Sequence, residues 1–413
     1  MKILFVAYFF PPHAHATAVE RTVMVIKGLS EEGHEIGLIT ARNYTYSSKD
    51  YSFLKYVPEN LKVVSPSALE HSTFCKSLSN LQGAYKNTFR KFIWPDSRAL
   101  WLLNAIPASS HFTKVFKPDV VVSVAPPYTD LLLGYLLSRR LKVPHVVDFL
   151  DPWSDDLYDM YPLWWQKELT ASAEKEILKR VKGVIVATYP MKWRLIEKYP
   201  FLKPEMVENI TFGIKEDLAN RIESPDYSKP FAILYLGTLQ GGHKNPKSFV
   251  DAFREFCSRH PEVILKIVGG KIEDGIKDLL NKEIPNRNLQ IMGYVKNENI
   301  HLLVNESHVL WLLISRARGF ELVMPAKTIT YLGLERPILA TVPEGWTAEF
   351  LKKAGVTVVS CDRKDEILTC LEELYQKYLN HDLNGPESSV TEEFKYSTIA
   401  RKYGKFLETS CNL

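Results

Sequence analysis

The sequence predicts an α/β protein with two Rossmann-like, doubly wound domains that face a cleft. The chain has 413 residues, which is too long for one ordinary core and suits about two domains of roughly 150–200 residues. Apolar runs of strand length alternate with helical patterns in both halves, which is typical of parallel sheets covered by helices. A polar stretch at 213–230, interrupted by Pro225 and Pro230, separates the two halves.

The first half opens with the apolar run KILFVAYFF, which we interpret as a buried parallel strand that ends at Pro11. A helical pattern and the second strand, IGLIT, follow it. Later strands are predicted from four runs, PDVVVSVAPPY, PHVVDFLDPW, VKGVIVAT and the weaker VENITFGI. No strand is predicted between Arg42 and about Ser110, where aromatic residues and lysines are frequent.

The second half repeats the alternation. Its strands are predicted from the runs FAILYLGTL, VILKIVGG, LQIMGYV, SHVLWLLI, RPILATV and VTVVS. Residues 391–409 have the pattern of an amphipathic helix that follows the second series. These features predict an N-terminal domain at 1–212, a linker at 213–230, a C-terminal domain at 231–385 and a last helical segment at 386–413.

Composition excludes several classes of protein. A hydrophobic content of 46% and a charged content of 24% are typical of a globular chain, so disorder is not expected. The net charge of +4 is small and no basic stripe is concentrated, which argues against nucleic acid as a partner. Five scattered cysteines without metal spacing predict free thiols in a reducing compartment.

The same sequence predicts a cytoplasmic protein, with the inner face of the cell membrane as an alternative place of action. No apolar run approaches the ~20 residues of a membrane-spanning helix. The N-terminal apolar run is broken by Pro11 and Pro12 and leads into an amphipathic helix, which does not suit a signal peptide.

Two segments of the second half carry chemistry suited to a phosphate. Residues 233–247 are an apolar strand that continues into a glycine-rich turn with His243 and Lys244, and residues 314–337 begin with a basic loop. A backbone that approaches a phosphate closely needs glycine, and the negative charge needs a cation or a helix N-terminus. Both segments follow predicted strands, where open α/β sheets bind ligands. We therefore expect a pocket for a nucleotide diphosphate.

Four segments in this order resemble the GT-B glycosyltransferases, in particular family 4. The segments are MKILFVAYFFPP with the following ER, SVAPPYTDLLLGYLLSRRLKVPHVVDFLDPW, ILYLGTL with the following KNP, and MPAKTITYLGLERPILA. The resemblance covers nearly the whole chain and is nearest to bacterial enzymes that build surface polysaccharides. It implies that the second domain holds a nucleotide-sugar donor and the first an acceptor. It also implies retention of anomeric configuration, and a C-terminal helix that crosses back to the first domain.

The resemblance implies a set of donor-binding residues in the second half. They are Gly237, Thr238, Lys244, Arg316, Arg318, Gly319, Phe320, Glu321, Lys327 and Thr330. Lys244 would neutralise the departing diphosphate, and the alternative is a solvated lysine in a strand-to-helix turn. Two positions depart from the family: Thr238 stands where a basic residue is usual, and Thr330 where a glutamate binds the ribose hydroxyls. Glu321 is a candidate replacement for that glutamate.

The resemblance places the remaining candidates in the first half. Asp151 and Asp148, in DFLDPW, are candidate catalytic carboxylates at a strand exit, with Asp151 preferred, and a simple turn is the alternative. Lys244 completes the catalytic set. His13, His15 and Trp153 are candidates for the acceptor side, and plain loop residues are the alternative for the histidines. No metal is expected, and no cofactor beyond the nucleotide sugar.

Aromatic residues are unusually frequent at 42–110 and at 158–168. Trp164 and Trp165, beside Lys167, suit either contact with a bilayer surface or binding of a lipid-linked acceptor. The alternative is the core of a small subdomain.

The sequence thus predicts a metal-independent glycosyltransferase that moves a sugar from a nucleotide diphosphate to a saccharide or lipid-linked acceptor. Two rivals remain: a nucleotide-sugar 2-epimerase, which shares the fold, and a non-catalytic GT-B protein that binds or partners an active transferase. Thr238 and Thr330, at positions that are usually basic and acidic in the family, keep the second rival open. The donor sugar, the base, the acceptor and the oligomeric state are not predicted.

Overall fold

The computed structural model describes residues 1–13, 17–42, 49–68, 92–157, 159–239, 245–386 and 388–412. The chain divides into two compact units. Unit 1 comprises Met1–Thr211 and Tyr396–Leu413, and unit 2 comprises Phe212–Lys395. The C-terminal segment therefore belongs to the unit formed by the first half of the chain, as the fold class predicted.

Unit 1 is built on a parallel sheet of seven strands in the order β3-β2-β1-β4-β5-β6-β7. The strands are β1 Lys2–Val6, β2 Glu35–Ile39, β3 Lys62–Val64, β4 Val120–Ala125, β5 His145–Phe149, β6 Gly183–Val186 and β7 Val207–Asn209. Among the described residues before unit 2, the helices are α1 Thr17–Glu31, α2 Leu102–Phe116, α3 Thr129–Leu141, α4 Trp164–Leu178 and α5 Tyr189–Lys198. The strand order reverses between β1 and β4, which makes their carboxyl ends the switch point of this sheet.

Unit 2 has a parallel sheet of six strands in the order β10-β9-β8-β11-β12-β13. The strands are β8 Ala232–Leu236, β9 Ile264–Val268, β10 Leu289–Met292, β11 Val309–Leu313, β12 Ile338–Thr341 and β13 Thr357–Val359. The helices are α6 Glu216–Ala219, α7 Lys247–Arg259, α8 Asp274–Glu283, α9 Ile300–Asn305, α10 Lys327–Leu332, α11 Trp346–Lys353, α12 Lys364–Leu379 and α13 Ser388–Glu392. Here the order reverses between β8 and β11. Two doubly wound parallel sheets confirm the predicted fold class.

The core of unit 2 is centred on Trp311 of β11. Its ring stacks on Phe249 of α7 with 3.6 Å between the centroids, and its indole N–H donates to Thr341 Oγ1 at 2.9 Å. The aromatic face is buried in full while its only polar group is satisfied, so the indole stabilises the core without a desolvation penalty.

The last helix, α14 (Tyr396–Asn412), packs against α1 inside unit 1. A Cβ at Gly28 of α1 would lie 2.3 Å from the Cβ of Ala400, so the two helices touch at a point that only glycine allows. The single helix predicted over 391–409 is wrong in one respect. A turn at residues 393–394 separates α13 from α14, and there Ile214 N–H donates to the carbonyl of Phe394 at 2.7 Å.

A buried ion pair anchors α14 to the sheet of unit 1. Arg21 of α1 donates through Nη1 to Asp148 Oδ2 of β5 at 2.5 Å, and Tyr403 of α14 donates to the same oxygen at 3.0 Å. Arg21 also donates to the carbonyls of Ile210 and Thr211. Burial acts to lower the pKa of Arg21, but the charge of Asp148 raises it above its ordinary value. One guanidinium thus joins α1, β5, the exit of β7 and, through Asp148, α14.

The stretch predicted as a linker, 213–230, lies within unit 2, and part of it packs against other residues of that unit. The ring of Tyr227 stacks on His381 at 4.4 Å, and its hydroxyl accepts from the N–H of Leu383 at 3.1 Å. His308 accepts from Ala232 N–H through Nδ1, so its Nε2 donates to the carbonyl of Asp226 at 3.0 Å. Burial lowers the pKa of His308, which keeps this neutral tautomer.

Two elements of unit 1 were missed in the sequence. Strand β3 is three residues long, and Lys62 and Val63 are exposed, so no alternation of buried and exposed residues marks it. Helix α2 contains Pro107 and was not predicted before Ser110. Both elements are held by packing on the sheet, which the local pattern does not encode.

Candidate functional site

The two predicted phosphate segments lie together at the switch point of unit 2. The first follows β8 and the second follows β11, and these strands are neighbours in the sheet. The backbone N–H of Asn245, at the start of α7, donates to the Oγ of Ser315 after β11 at 2.6 Å. This bond fixes the two strand exits against each other, at the edge where doubly wound sheets bind ligands.

Two glycines line this strand exit with bare backbone. Gly237, directly after β8, has φ +126°, and its N–H donates to the carbonyl of Val268 at 2.8 Å. A Cβ on Gly269, directly after β9, would lie 2.1 Å from the Gly237 carbonyl oxygen. Gly237 was predicted and Gly269 was missed, although the pair Gly269-Gly270 at the end of VILKIVGG is a signal for close backbone approach.

Lys327 stands beside the same strand exit. Its Nζ lies 3.9 Å from the ring centroid of Tyr235 on β8, which attracts the cation. Tyr331, one turn later on α10, accepts from Leu236 N–H at 2.8 Å, and Tyr235 donates to the carbonyl of Thr238 at 3.0 Å. Burial raises the pKa of both tyrosines, so both stay protonated. These contacts attach α10 to the end of β8 and place the lysine there.

The loop after β11 exposes the remaining predicted cations. Arg316 Nε pairs with Asp362 Oδ2 at 3.0 Å, and both side chains are more than half exposed. An ion pair that exposed is worth about 0–1 kcal/mol, so a phosphate would displace the carboxylate at little cost. Arg318 is exposed beside Gly319, whose φ is +72°. Asp362, which follows β13, was not predicted.

Thr330 and Glu321, the candidates for the ribose end of the predicted pocket, differ in exposure. Thr330 is half-buried, and its hydroxyl reaches back to the carbonyl of Ala326 in its own helix at 3.4 Å. Glu321, the candidate replacement, is exposed, and Phe320 beside it is half-buried. Lys244, predicted as the main phosphate partner, and His15 lie outside the described residues.

Asp148 and Asp151 have very different surroundings in unit 1. Asp148 is buried in the ion pair with Arg21, which gives it a structural role. Asp151 lies half-buried in the turn that follows β5. The geometry therefore separates the two candidates: only Asp151 combines a strand exit with access to solvent.

Trp153 lies in the core instead of at a surface. It is 1% exposed, stacks between Tyr128 and Trp94, and donates to the hydroxyl of Tyr161 at 2.8 Å. This burial argues against contact with an acceptor, and the residue instead fixes the turn that carries Asp151. His13 is buried as well, with its ring 4.8 Å from that of Phe9.

Two carboxyl groups at the switch point of unit 1 were missed in the sequence, the buried Asp130 and the half-buried Asp96. Asp130, in the first turn of α3, accepts from Tyr8 N–H after β1 at 2.8 Å. Asp96 accepts from the N–H of Thr129 at 2.8 Å and from its hydroxyl. Burial raises the pKa of both groups, and Asp96 raises that of Asp130 further. An aspartate that follows Tyr128 and Thr129 resembles a helix start, so nothing in the local pattern indicated that Asp130 is buried.

The raised pKa of Asp130 predicts a pH-dependent stability. The folded state favours the protonated carboxyl, so this contribution is complete at low pH and is lost as pH rises through the folded-state pKa. Asp130→Asn keeps an acceptor for Tyr8 without a charge. It should raise the free energy of unfolding at pH 8 by the order of 1 kcal/mol and flatten its pH dependence. Urea unfolding at several pH values measures this. The exposed Asp119→Asn is the control, and equal curves for both variants would contradict the prediction.

The described residues contain no group of three His, Cys, Asp or Glu side chains that could hold a metal ion. In the same part of the chain, no helix combines the length and apolarity needed to cross a bilayer.

Comparison with known families matches one model to each unit. Residues 17–208 match the "Glycosyl transferase 4-like domain", and residues 217–325 match "Glycosyl transferases group 1". The chain is a GT-B-fold protein that resembles the family 4 glycosyltransferases. None of the curated protein sequences compared with it matches.

Solved structures share the fold of this GT-B protein over its whole length. Sucrose-phosphate synthase from Thermosynechococcus elongatus is 11% identical with a TM-score of 0.68, and the alignment covers 99% of this chain and 98% of that one. HepE from Anabaena, solved with UDP-glucose, is 12% identical with a TM-score of 0.64 over 99% and 100%. A putative UDP-N-acetylglucosamine 2-epimerase from Listeria monocytogenes is 11% identical with a TM-score of 0.59 over 99% and 96%. At this identity the likeness concerns the fold.

Proposed function

We propose that this GT-B protein is a retaining, metal-independent glycosyltransferase that takes a sugar from a nucleotide diphosphate. The observation that carries the proposal is the switch point of unit 2. There the Asn245–Ser315 bond holds two strand exits together, with bare glycine backbone at Gly237 and the cation of Lys327 beside it. Glycine backbone lets a diphosphate approach the strand exit closely, and a nearby cation offsets its negative charge.

The same groups explain how the leaving group would depart. Breaking the bond between the sugar and the terminal phosphate adds one negative charge to the two that the donor's diphosphate already carries, and fixed cations that face this new charge lower the barrier. We assign this role to Lys244 and Lys327, with Arg316 and Arg318 on the exposed loop. Arg316 would exchange its weak pair with Asp362 for a phosphate oxygen.

We assign Asp151 to the acceptor side, where its carboxylate would orient the acceptor hydroxyl or accept its proton. Its place in the turn after β5, next to the buried Trp153, supports this role. The acceptor we propose is a saccharide or a lipid-linked saccharide, in the synthesis of a bacterial surface polysaccharide. The family resemblance and the fold likeness to HepE support a nucleotide-sugar donor.

A panel of nucleotide diphosphates and their sugars tests the proposal. The matching nucleotide should raise the melting temperature, since a ligand at a hundred times its Kd stabilises by about 2.7 kcal/mol. Lys244→Ala should lower turnover about a hundredfold with an unchanged melting temperature. Lys247→Ala is the matched control, because that exposed lysine pairs with Asp251 in its own helix.

Two results would contradict the proposal. One is a panel that gives neither stabilisation nor turnover with any saccharide or lipid-linked acceptor. The other is a Lys244→Ala variant as fast as Lys247→Ala, which would remove Lys244 from its role.

The 2-epimerase is the second candidate, and the fold likeness to the Listeria protein favours keeping it. An epimerase changes the sugar of the donor without any acceptor. Incubation with the stabilising nucleotide sugar alone therefore separates the two activities. A new sugar epimer supports the epimerase, and release of nucleotide only when an acceptor is present supports the transferase.

A further inference from the structure

Helix α4 of unit 1 has its polar and apolar faces exchanged. A helix on a soluble protein normally buries its apolar side. The first ten residues of α4 instead bury only polar side chains, and the first three buried positions of the helix are one turn apart. These are Gln166, Thr170 and Glu174. The apolar side chains of the same turns point to solvent, namely Trp164, Trp165 and Leu169.

The orientation of α4 is fixed by its buried polar groups. Gln166 Oε1 accepts from Leu163 N–H at 3.2 Å, and Thr170 Oγ1 accepts from the indole of Trp94 at 2.9 Å. Glu174 accepts from the hydroxyl of Tyr199 at 2.6 Å. A rotation of the helix that buried its tryptophans would break the bonds from Trp94 to Thr170 and from Tyr199 to Glu174, which join the helix to other elements. The packing of α4 therefore holds its tryptophans at the surface.

The outward face presents a large apolar area. Trp164 is 78% exposed and Trp165 39%, and Met160 just before the helix and Leu169 within it are about 40% exposed. The subdomain core considered for these tryptophans is therefore wrong for Trp164. Covering an apolar surface that is exposed to water lowers the free energy of the system.

A second pair of exposed aromatics lies on the neighbouring helix α5. Tyr189 and Trp193 are both nearly half exposed, with 6.0 Å between ring centroids. The turn that contains Asp155 and Asp156 pairs with both helices. Arg194 of α5 pairs with Asp155, and Lys167 of α4 pairs with Asp156. Aromatic side chains thus flank that turn on both sides.

We propose that the aromatic face of α4, defined by Trp164, Trp165 and Leu169, docks on an anionic phospholipid bilayer. Tryptophan suits the boundary between headgroups and acyl chains, because its ring is apolar and its N–H is polar. Lys167, half exposed on the same helix, can reach lipid phosphates. The face includes none of the residues proposed for the donor or for catalysis, so the inference is independent of the proposed function.

The charge of unit 1 favours an anionic bilayer over another partner. Its sequence holds 29 lysines and arginines against 22 aspartates and glutamates, whereas unit 2 holds 23 against 26. An anionic surface therefore attracts the unit that carries the aromatic face and does not attract the other.

Sedimentation of the full chain with vesicles tests the inference. Vesicles of phosphatidylcholine and phosphatidylglycerol in equal parts should pellet the protein, and pure phosphatidylcholine vesicles should pellet less of it. Trp164→Ser with Trp165→Ser should lower the bound fraction about tenfold or more. Leu103→Ser with Val115→Ser is the matched control, because these side chains on α2 of the same unit are 65% and 78% exposed. This control should bind vesicles like the wild type.

Three results would overturn the inference. The wild type fails to bind either kind of vesicle, the tryptophan variant binds as well as the wild type, or both double variants lose binding equally. A self-association that the tryptophan substitutions abolish, without vesicle binding, would assign the face to a second copy of the chain instead. Melting temperatures near the wild-type value confirm that both variants are folded.

Discussion

Arg21→Met is expected to lower the free energy of unfolding of unit 1 by about 3–5 kcal/mol, the cost of leaving one charge of a buried pair uncompensated. Both Arg21 and Asp148 are 1% exposed, so water cannot replace the lost partner. The substitution also removes the donors to the carbonyls of Ile210 and Thr211, which then lack partners inside the protein. Urea unfolding followed by circular dichroism measures the change.

A double variant separates the ion pair from the helix packing around it. Arg21→Met combined with Asp148→Leu should recover part of the loss, because an apolar pair of similar volume is close to neutral in place of a buried ion pair. Lys27→Met on the same helix is the control. Its exposed pair with Glu31 is worth at most about 0.5 kcal/mol. A loss below about 1 kcal/mol for Arg21→Met would contradict the assignment.

Gly269→Ala is expected to reduce turnover more than a hundredfold, since a misplacement of about 1 Å near a reacting centre costs that much. The new Cβ would lie 2.1 Å from the carbonyl oxygen of Gly237 and 2.6 Å from its carbonyl carbon. Both are backbone atoms of the strand exit proposed to hold the diphosphate, so the exit itself must shift. Nucleotide-dependent thermal shift and turnover with the donor identified by the panel measure the effect.

Gly270→Ala provides a matched control one residue away. A Cβ at Gly270 meets nothing within 4 Å, so the same chemical change should leave nucleotide binding intact. If Gly269→Ala binds the nucleotide as tightly as Gly270→Ala does, the diphosphate is held elsewhere. If both variants lose binding together, the loss reflects the glycine pair as a flexible segment instead of the clash.

The strands that form the centres of both sheets could be predicted because parallel strands buried on both faces are continuous apolar runs. The runs PDVVVSVAPPY and PHVVDFLDPW contain β4 and β5, and each of these strands is buried at every position. Strand β3 escaped because two of its three residues face solvent. Its place in the sheet depends on a neighbour that is distant in sequence.

The positions of candidate site residues could be predicted where they follow from a strand end, and not where they follow from burial. Gly237 and Lys327 were identified from a strand end and a basic segment, and both lie at the switch point of unit 2. Trp153 was expected at a surface because it follows a strand, yet Trp94 and Tyr128 enclose it. The sequence contained no sign that residue 94 packs against residue 153.

Because α14 completes unit 1, the order of synthesis constrains how the protein folds. During synthesis the first 211 residues are made well before Tyr403. Asp148 therefore lacks the hydrogen bond from Tyr403 until nearly the whole chain has been synthesised. Unit 2 is continuous in sequence, and all its residues are synthesised before Tyr403. The half of the molecule that is translated first therefore acquires its full set of buried contacts last, and unit 2 can be folded by then.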